Sequence, residues 1–221
     1  MNPKELAPLG VVFAAYLAVA CQTRRDAPGD NRQPQADRRA APAEPAAVVP
    51  AAAPQDPPRR PDVLYVPTPE DVVDAMLALA RVGKDDVVYD LGCGDGRIVV
   101  KAAERYGARA VGYDIDPARV SEARQNVAAH HVEQLVQIEQ RDIFTLDLSG
   151  ASVIALYLLP ELNVKLLPQL ERMRPGSRIV SHDFDIAGVV PKNVLRLGVD
   201  AKGVAHSVYY YELPLTKEPQ N

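Results

Sequence analysis

Val87-Val88-Tyr89-Asp90-Leu91-Gly92-Cys93-Gly94-Asp95-Gly96-Arg97 is the stretch that decides the fold. A β-branched apolar run ends in an acid, three glycines follow at alternate positions, and a helical pattern takes over from Ile98 to Tyr106. That succession reads as strand, tight turn, helix. Glycine suits such a turn because it takes positive φ and has no Cβ to hold a ligand off the backbone. The helix behind it offers unpaired N–H groups and a positive dipole end to whatever lies over the bend. The motif is a nucleotide-type cradle.

Which nucleotide it takes depends on the acid and the spacing. The dinucleotide fingerprint is G-x-G-x-x-G, with a pyrophosphate on the helix N-terminus. Here the glycines are Gly92, Gly94 and Gly96, so the third comes one residue early and Arg97 stands where that fingerprint wants glycine. Asp90 closes the strand. Its carboxylate would repel a pyrophosphate but suits a ligand that carries an ammonium group. S-adenosylmethionine (SAM) is such a ligand, built of an amino acid, a sulfonium and an adenosine without phosphate.

Working outward, the pattern is an alternation of strands and helices. Arg109–Asp114 is a second strand, and Asp114 lies 24 positions after Asp90, near the ~20-residue offset at which an acid reaches ribose hydroxyls. Two hydroxyl donors match two carboxylate oxygens. The competing role for Asp114, capping the next helix, is already filled by Asp116-Pro117. A helix from Pro117 to about Ala129 and a strand at Val136–Glu139 follow, then a strand at Ser152–Leu158, apolar on both faces and therefore central. A helix from Pro160 to Met173, a strand at Arg178–His182 and a hairpin of Val194–Val199 with Ala205–Leu213 complete the pattern. Upstream, Thr68 is the expected N-cap of a helix that carries Val72, Val73, Met76, Leu77, Leu79 and Ala80 and ends at Gly83. The fold class expected is α/β and Rossmann-like: a seven-stranded, mostly parallel sheet with a C-terminal antiparallel hairpin.

Further pieces carry a resemblance: Tyr65-Val66-Pro67-Thr68-Pro69, Gly112-Tyr113-Asp114-Ile115-Asp116-Pro117, Leu156-Tyr157-Leu158-Leu159-Pro160 and Pro175-Gly176-Ser177-Arg178-Ile179-Val180-Ser181-His182-Asp183-Phe184. With the glycine motif, they make residues from about Tyr65 to Asp185 resemble a class I SAM-dependent methyltransferase. Within that class they are most similar to the ATP synthase c-subunit lysine N-methyltransferase family and its bacterial relatives. The resemblance implies SAM as cofactor, with Tyr65 and Thr68 over its methionine end and Ile115 beside Asp114. It also implies that Asp142 accepts from the adenine amino group while Ile143 packs on the ring. Tyr65 reads equally well as a core tyrosine, and Asp142 as a turn residue. Methyltransferases acting on amide or adenine nitrogens usually carry Asn/Asp-Pro-Pro-aromatic after the fourth strand. This chain has none there, which leaves Tyr157 to line a narrow channel and orient an amine, or to serve the core. Leu158, Pro160, His182 and Asp183 are the expected substrate-pocket wall. His182 and Asp183 have no Ser or Cys nucleophile placed beside them, and no Cys/His cluster has metal-ligand spacing.

Composition sets the remaining bounds. The 221 residues carry 25 Lys+Arg, 29 Asp+Glu, 20 prolines, two cysteines and no tryptophan, room for one domain plus a tail. From Val63 onward 17 basic residues stand against 22 acidic ones, a net of −5. That gives no footprint for gripping a phosphate backbone, so a nucleic-acid substrate is not expected. Leu9 to Ala20 is an apolar run shorter than the about 20 residues a bilayer-spanning helix needs. It matches a secretory h-region, and its small residues before Cys21 resemble a lipoprotein signal. Residues 22–62, rich in Ala and Pro and lacking aromatics, read as a disordered tether. The expected organisation is therefore a signal or lipoprotein-like segment (1–21), the tether, the catalytic domain (63–214) and a tail (215–221). A membrane-associated protein follows, facing either the cytoplasm or the periplasm.

The expected activity is SAM-dependent methyl transfer to a protein lysine. A small-molecule methyltransferase shares the cofactor motifs, a non-catalytic SAM-binding envelope protein would suit export, and an NAD-dependent oxidoreductase is the weakest alternative.

Overall fold

Helices follow the first, second and fourth parallel strands and carry the chain back to the starting end of the sheet, as parallel pairing requires, whereas the third strand is followed only by a short 3-10 turn. The computed structural model describes residues 64–219 apart from 201. The signal-like segment with Cys21 and the tether lie outside the described residues. The elements in chain order are Glu70–Leu79 (α1), Val87–Leu91 (β1), Arg97–Tyr106 (α2), Arg109–Asp114 (β2), Pro117–Ala129 (α3), Val136–Gln140 (β3), Val153–Leu156 (β4), Pro160–Leu170 (α4), Arg178–His182 (β5), Asn193–Val199 (β6) and Ala205–Glu212 (β7). They form one seven-stranded sheet in the order β3-β2-β1-β4-β5-β7-β6. The first five strands are parallel. Strand β7 runs antiparallel between β5 and β6. The expected fold class is the one observed.

Two apolar layers hold the sheet. Val88, Ala110, Val136 and Val180 pack under α1, α2 and α3. On the other face Ile154, Leu156 and Ile179 meet Leu166 and Leu170 of α4. All four residues of β4 are buried, as a central strand covered on both faces requires. Each buried Leu or Ile contributes about 1.5–3 kcal/mol relative to exposure. The strand order reverses between β1 and β4, and open α/β sheets bind ligands beyond the carboxyl ends of their strands at such a point.

Several boundaries differ from expectation. Thr68 does not cap α1. Pro69 occupies the cap position without a side-chain cap bond, because the Thr68 hydroxyl is engaged elsewhere. The helix stops at Leu79 rather than at Gly83, with Ala80 as its C-cap and Arg81 in the left-handed region (φ 51°). Helix α4 ends at Leu170, two residues after Pro168 removes a backbone donor. Strand β4, at Val153–Leu156, is shorter than the expected Ser152–Leu158. The Ser152 backbone still bonds Val87 O and the Arg178 N–H at 2.9 Å, and its hydroxyl donates to Asp86 at 2.7 Å. In the segment expected as a tail, Thr216 accepts from the Val190 N–H (2.8 Å) and the Glu218 N–H donates to Gly188 O (3.0 Å). Among the described residues no helix is long and apolar enough to cross a membrane.

Candidate active site

The bend between β1 and α2 takes its shape from glycines at two points. Gly94 has φ +54° and lies under the Tyr65 ring. Gly96 has φ +78°, and a Cβ on it would meet Ala123 Cβ of α3 at 3.0 Å. The bend is tied to β2 by its own backbone. The Gly92 and Cys93 N–H groups donate to Tyr113 O (2.8 and 2.9 Å). The Gly94 N–H donates to Asp114 Oδ2 and the Asp116 N–H to Asp114 Oδ1, both at 2.9 Å. Asp114 thus links the glycine bend to the end of β2, and each of its oxygens keeps a second lone pair for a further donor.

A cleft of about 700 Å³ opens over this bend, within the range of small-molecule sites. Of the residues singled out from sequence, Tyr65, Thr68, Asp90, Gly92, Asp114, Ile115, Asp142, Ile143, Tyr157 and Leu158 line it. Gly94 and Gly96 do not, because Tyr65 covers the first and α3 the second. Pro160 starts α4 and does not line the cleft either. His182 is fully buried, and neither it nor Asp183 reaches the lining. Of the expected pocket wall only Leu158 lines the cleft, beside Tyr157, with His182 one layer behind.

The charges are unevenly placed. Asp90 is buried, and burial, helped by the Asp114 and Asp95 charges, pushes its carboxyl up to about 8. Burial also raises Asp114 against the backbone donors that favour its anion. Asp95 already has Arg97 as its cation, whereas Asp90 and Asp114, both raised, lie close together and favour a cationic ligand. Asp142 uses one oxygen to accept from the Phe144 N–H at 3.0 Å, starting a short 3-10 turn at Ile143–Thr145. Burial, followed by the Asp95 charge, moves the Tyr65 phenol up to about 12.

Arg97 has a larger part than sequence reading gave it. It grips Asp95 through Nε (3.0 Å) and Nη2 (2.6 Å) and donates from Nη1 to Thr68 O at 2.8 Å. It thereby fastens the Tyr65–Thr68 segment to the glycine bend. Arg119 of α3 lies 5.0 Å from the centre of the Tyr65 ring, within cation–π range. Cys93, a free thiol, lines the cleft with its Sγ against Gly112, and burial raises its pKa.

Behind Tyr157 stands a polar group that only the fold assembles. The Tyr157 and His182 rings lie 3.9 Å apart between centroids, tilted by 34°. His182 Nδ1 is 3.3 Å from Thr68 Oγ1 and its Nε2 is 3.0 Å from His206 Nδ1. Sequence reasoning missed His206, which comes from β7 and reaches His182 only because β7 pairs with β5. Burial, against the pull of Asp183, moves His182 down to about 4. Asp183 adopts φ 57° and exchanges two 2.8 Å bonds with the Ser207 backbone.

This donor set fits SAM. A buried acid in need of a cation matches its ammonium group, a paired carboxylate matches a diol, and a bend without Cβ atoms allows close backbone approach. Sheet order, switch-point cleft and acid-tipped glycine bend together define a class I SAM-dependent methyltransferase. A profile of the ANTKMT methyltransferase domain matches residues 90–193. A protein-lysine N-methyltransferase of Saccharolobus islandicus is 44% identical over 68% of this chain and 94% of its own length. The ATP synthase c-subunit lysine N-methyltransferase of Xenopus laevis is 28% identical over 67% of this chain and 63% of its own. The crystal structure of an RNA methyltransferase from Salinibacter ruber in complex with S-adenosyl-L-homocysteine is 47% identical, with a TM-score of 0.63, over 71% of this chain and 98% of that one. The chain belongs to the family of this Saccharolobus protein-lysine N-methyltransferase, and it is a SAM-dependent methyltransferase.

Proposed function

We propose that the acceptor is the ε-amine of a lysine in a protein. The observation that carries this is the edge after β4. Tyr157 and Leu158 line the cleft there, with Leu159-Pro160 following and no Asn or Asp to hold an amide or a base. The names of the Saccharolobus and Xenopus relatives support the same acceptor.

When bound, SAM supplies a methyl group on an electrophilic sulfonium. The chain's part is positioning and exclusion of water. Asp90 holds the ammonium group and Asp114 accepts from the ribose hydroxyls. Asp142 and Ile143 receive the adenine, while Tyr65 and Thr68 cover the methionine end. A lysine, with a reference pKa of ~10.4, must lose its proton before its lone pair can attack. An apolar channel favours the neutral amine. Tyr157 positions that amine. Its phenol, raised by burial and then by the Asp183 charge, stays protonated.

The test is transfer from isotopically labelled SAM to lysine-containing proteins, read by mass spectrometry of the acceptor. Methyl-lysine formation is expected. Labelled RNA without labelled protein, the outcome suggested by the name of the Salinibacter neighbour, would overturn the reading. The acidic balance of residues 63–221 speaks against that outcome. The apolar run at 9–20 and the Pro/Ala-rich stretch behind it support a domain held beside a membrane. Fractionation with a protease-accessibility assay tests that placement and the side on which it lies.

A further inference from the structure

Strands β5 and β7 bring three donor atoms to one point outside the cofactor cleft. His182 Nε2 and His206 Nδ1 are 3.0 Å apart, His206 Nδ1 and Asp183 Oδ2 2.9 Å, and His182 Nε2 and Asp183 Oδ2 3.2 Å. The triangle is close to equilateral. One face of an octahedron with metal–ligand bonds of ~2.1 Å has edges of ~3.0 Å, and a tetrahedron's are nearer ~3.4 Å.

Protons alone serve this triangle poorly. A neutral imidazole offers one N–H and one lone pair, and an ionised carboxylate only accepts. If His206 Nδ1 carries the hydrogen, two lone pairs face each other between His182 and Asp183. If His182 Nε2 carries it, the same conflict moves to His206 and Asp183. If both do, two N–H groups oppose each other at 3.0 Å. One edge is always unserved, among side chains that are 0% (His182) and 7% (His206) exposed, where such a conflict is costly. A cation at the centre uses all three lone pairs at once.

The outer atoms of His182 and Asp183 have partners of the kind that orient metal ligands, and the outer nitrogen of His206 is buried without a hydrogen bond, its nearest carboxylate that of Asp200. His182 Nδ1 is 3.3 Å from Thr68 Oγ1. His206 Nε2 is 3.6 Å from Asp200 Oδ2. Asp183 Oδ1 accepts from the Ser207 N–H at 2.8 Å. Asp183 also holds a left-handed backbone, an uncommon conformation for a residue with a Cβ. Its side chain is 23% exposed, leaving a route for an ion and for water as further ligands.

We propose that His182, Asp183 and His206 form a binding site for a divalent first-row transition metal, of the two-histidine, one-carboxylate type. The ion cross-links β5 to β7 and fixes the imidazole on which Tyr157 rests. The site is independent of which acceptor the enzyme methylates.

The test uses the full chain, stripped with a chelator and titrated with Co²⁺. One equivalent is expected to bind at micromolar concentration with visible d–d bands, and Zn²⁺ should displace it. Asp183→Asn and His206→Ala should each abolish the bands. The double variant His130→Ala/His131→Ala, which removes the two histidines outside the cluster, should keep them. X-ray absorption of the Zn²⁺-loaded wild-type protein should show nitrogen and oxygen ligands, two of them imidazoles, and no sulfur; this holds the proposal to account even if the cluster variants fail to fold. Absence of stoichiometric Co²⁺ binding, bands that survive both cluster substitutions, or a sulfur-containing shell would each overturn it.

Discussion

The Tyr65 ring lies over Gly94 so closely that a Cβ on the glycine would stand 2.1 Å from its Cε2. The glycine is also held at φ +54°, where a side chain costs roughly 1–2 kcal/mol. Gly94→Ala is therefore expected to displace Tyr65 from the bend and weaken SAM binding by tenfold or more. Calorimetric titration with S-adenosylhomocysteine checks this, and unchanged affinity would show that Tyr65 is not part of the cofactor wall.

Asp90 links stability to pH. Its folded-state carboxyl, at about 8, stands above its ordinary value of 3.8, so the native state binds its proton more tightly than the unfolded chain. Stability from this group is fully present below about pH 4 and is lost as pH rises through 8, with a limiting slope of ~1.4 kcal/mol per pH unit. Asp90→Asn should melt higher than wild type at pH 8 and close to it at pH 4.5, while binding SAM at least tenfold more weakly. Wild-type affinity for SAM should rise between pH 6 and 8 as the carboxylate forms. A variant that melts lower than wild type at pH 8 would contradict this account.

Arg97 joins the N-terminal wall to the glycine bend through a fork that lysine does not reproduce. Arg97→Ala is expected to lower cofactor affinity about tenfold, the ~1.4 kcal/mol of a charge-assisted bond pair. Arg97→Lys should restore only a minor part. Full rescue by lysine would mean that charge, not the bidentate grip on Asp95, is what counts.

Tyr157 separates cofactor binding from acceptor positioning. Tyr157→Ala should reduce kcat on a protein acceptor by tenfold or more and change S-adenosylhomocysteine affinity less than threefold; Tyr157→Phe distinguishes ring from hydroxyl. An equal loss of affinity and turnover in the alanine variant would assign the ring to the cofactor instead.

At the opposite end of the sheet, Arg178 pairs with Asp86 and donates to Ala80 O at 2.8 Å. Asp86 in turn accepts from Ser152 Oγ and the Gly83 N–H. Removing one partner of such a part-buried pair costs about 2–4 kcal/mol. Arg178→Ala should lower the melting temperature by several degrees and leave SAM affinity untouched, as calorimetry on the same samples would show.

Only what is local can be read from the residues alone. The β1 bend declares itself within eleven residues because alternation, acid and glycines all lie there, and Asp114 follows at a spacing that one β-α-β unit imposes. Thr68 reads as a cap because its neighbours fit one. Its actual partner, His182, lies 114 residues away, a distance over which no pattern in the chain speaks. His206 stays hidden for the same reason. Its meeting with Asp183 depends on the register Ser181↔Tyr209 and His182↔Val208 between β5 and β7, and register belongs to the assembled sheet rather than to either strand.

The insertion of β7 between β5 and β6 has a consequence for biosynthesis. Until Ala205–Glu212 has left the ribosome, β5 has a partner on one side only, and its other edge stays open. An exposed edge strand is a template for pairing with another chain. Released chains truncated before residue 205 should therefore be the ones that chaperones hold and that aggregate, whereas released chains that include Ala205–Glu212 close over their own edge.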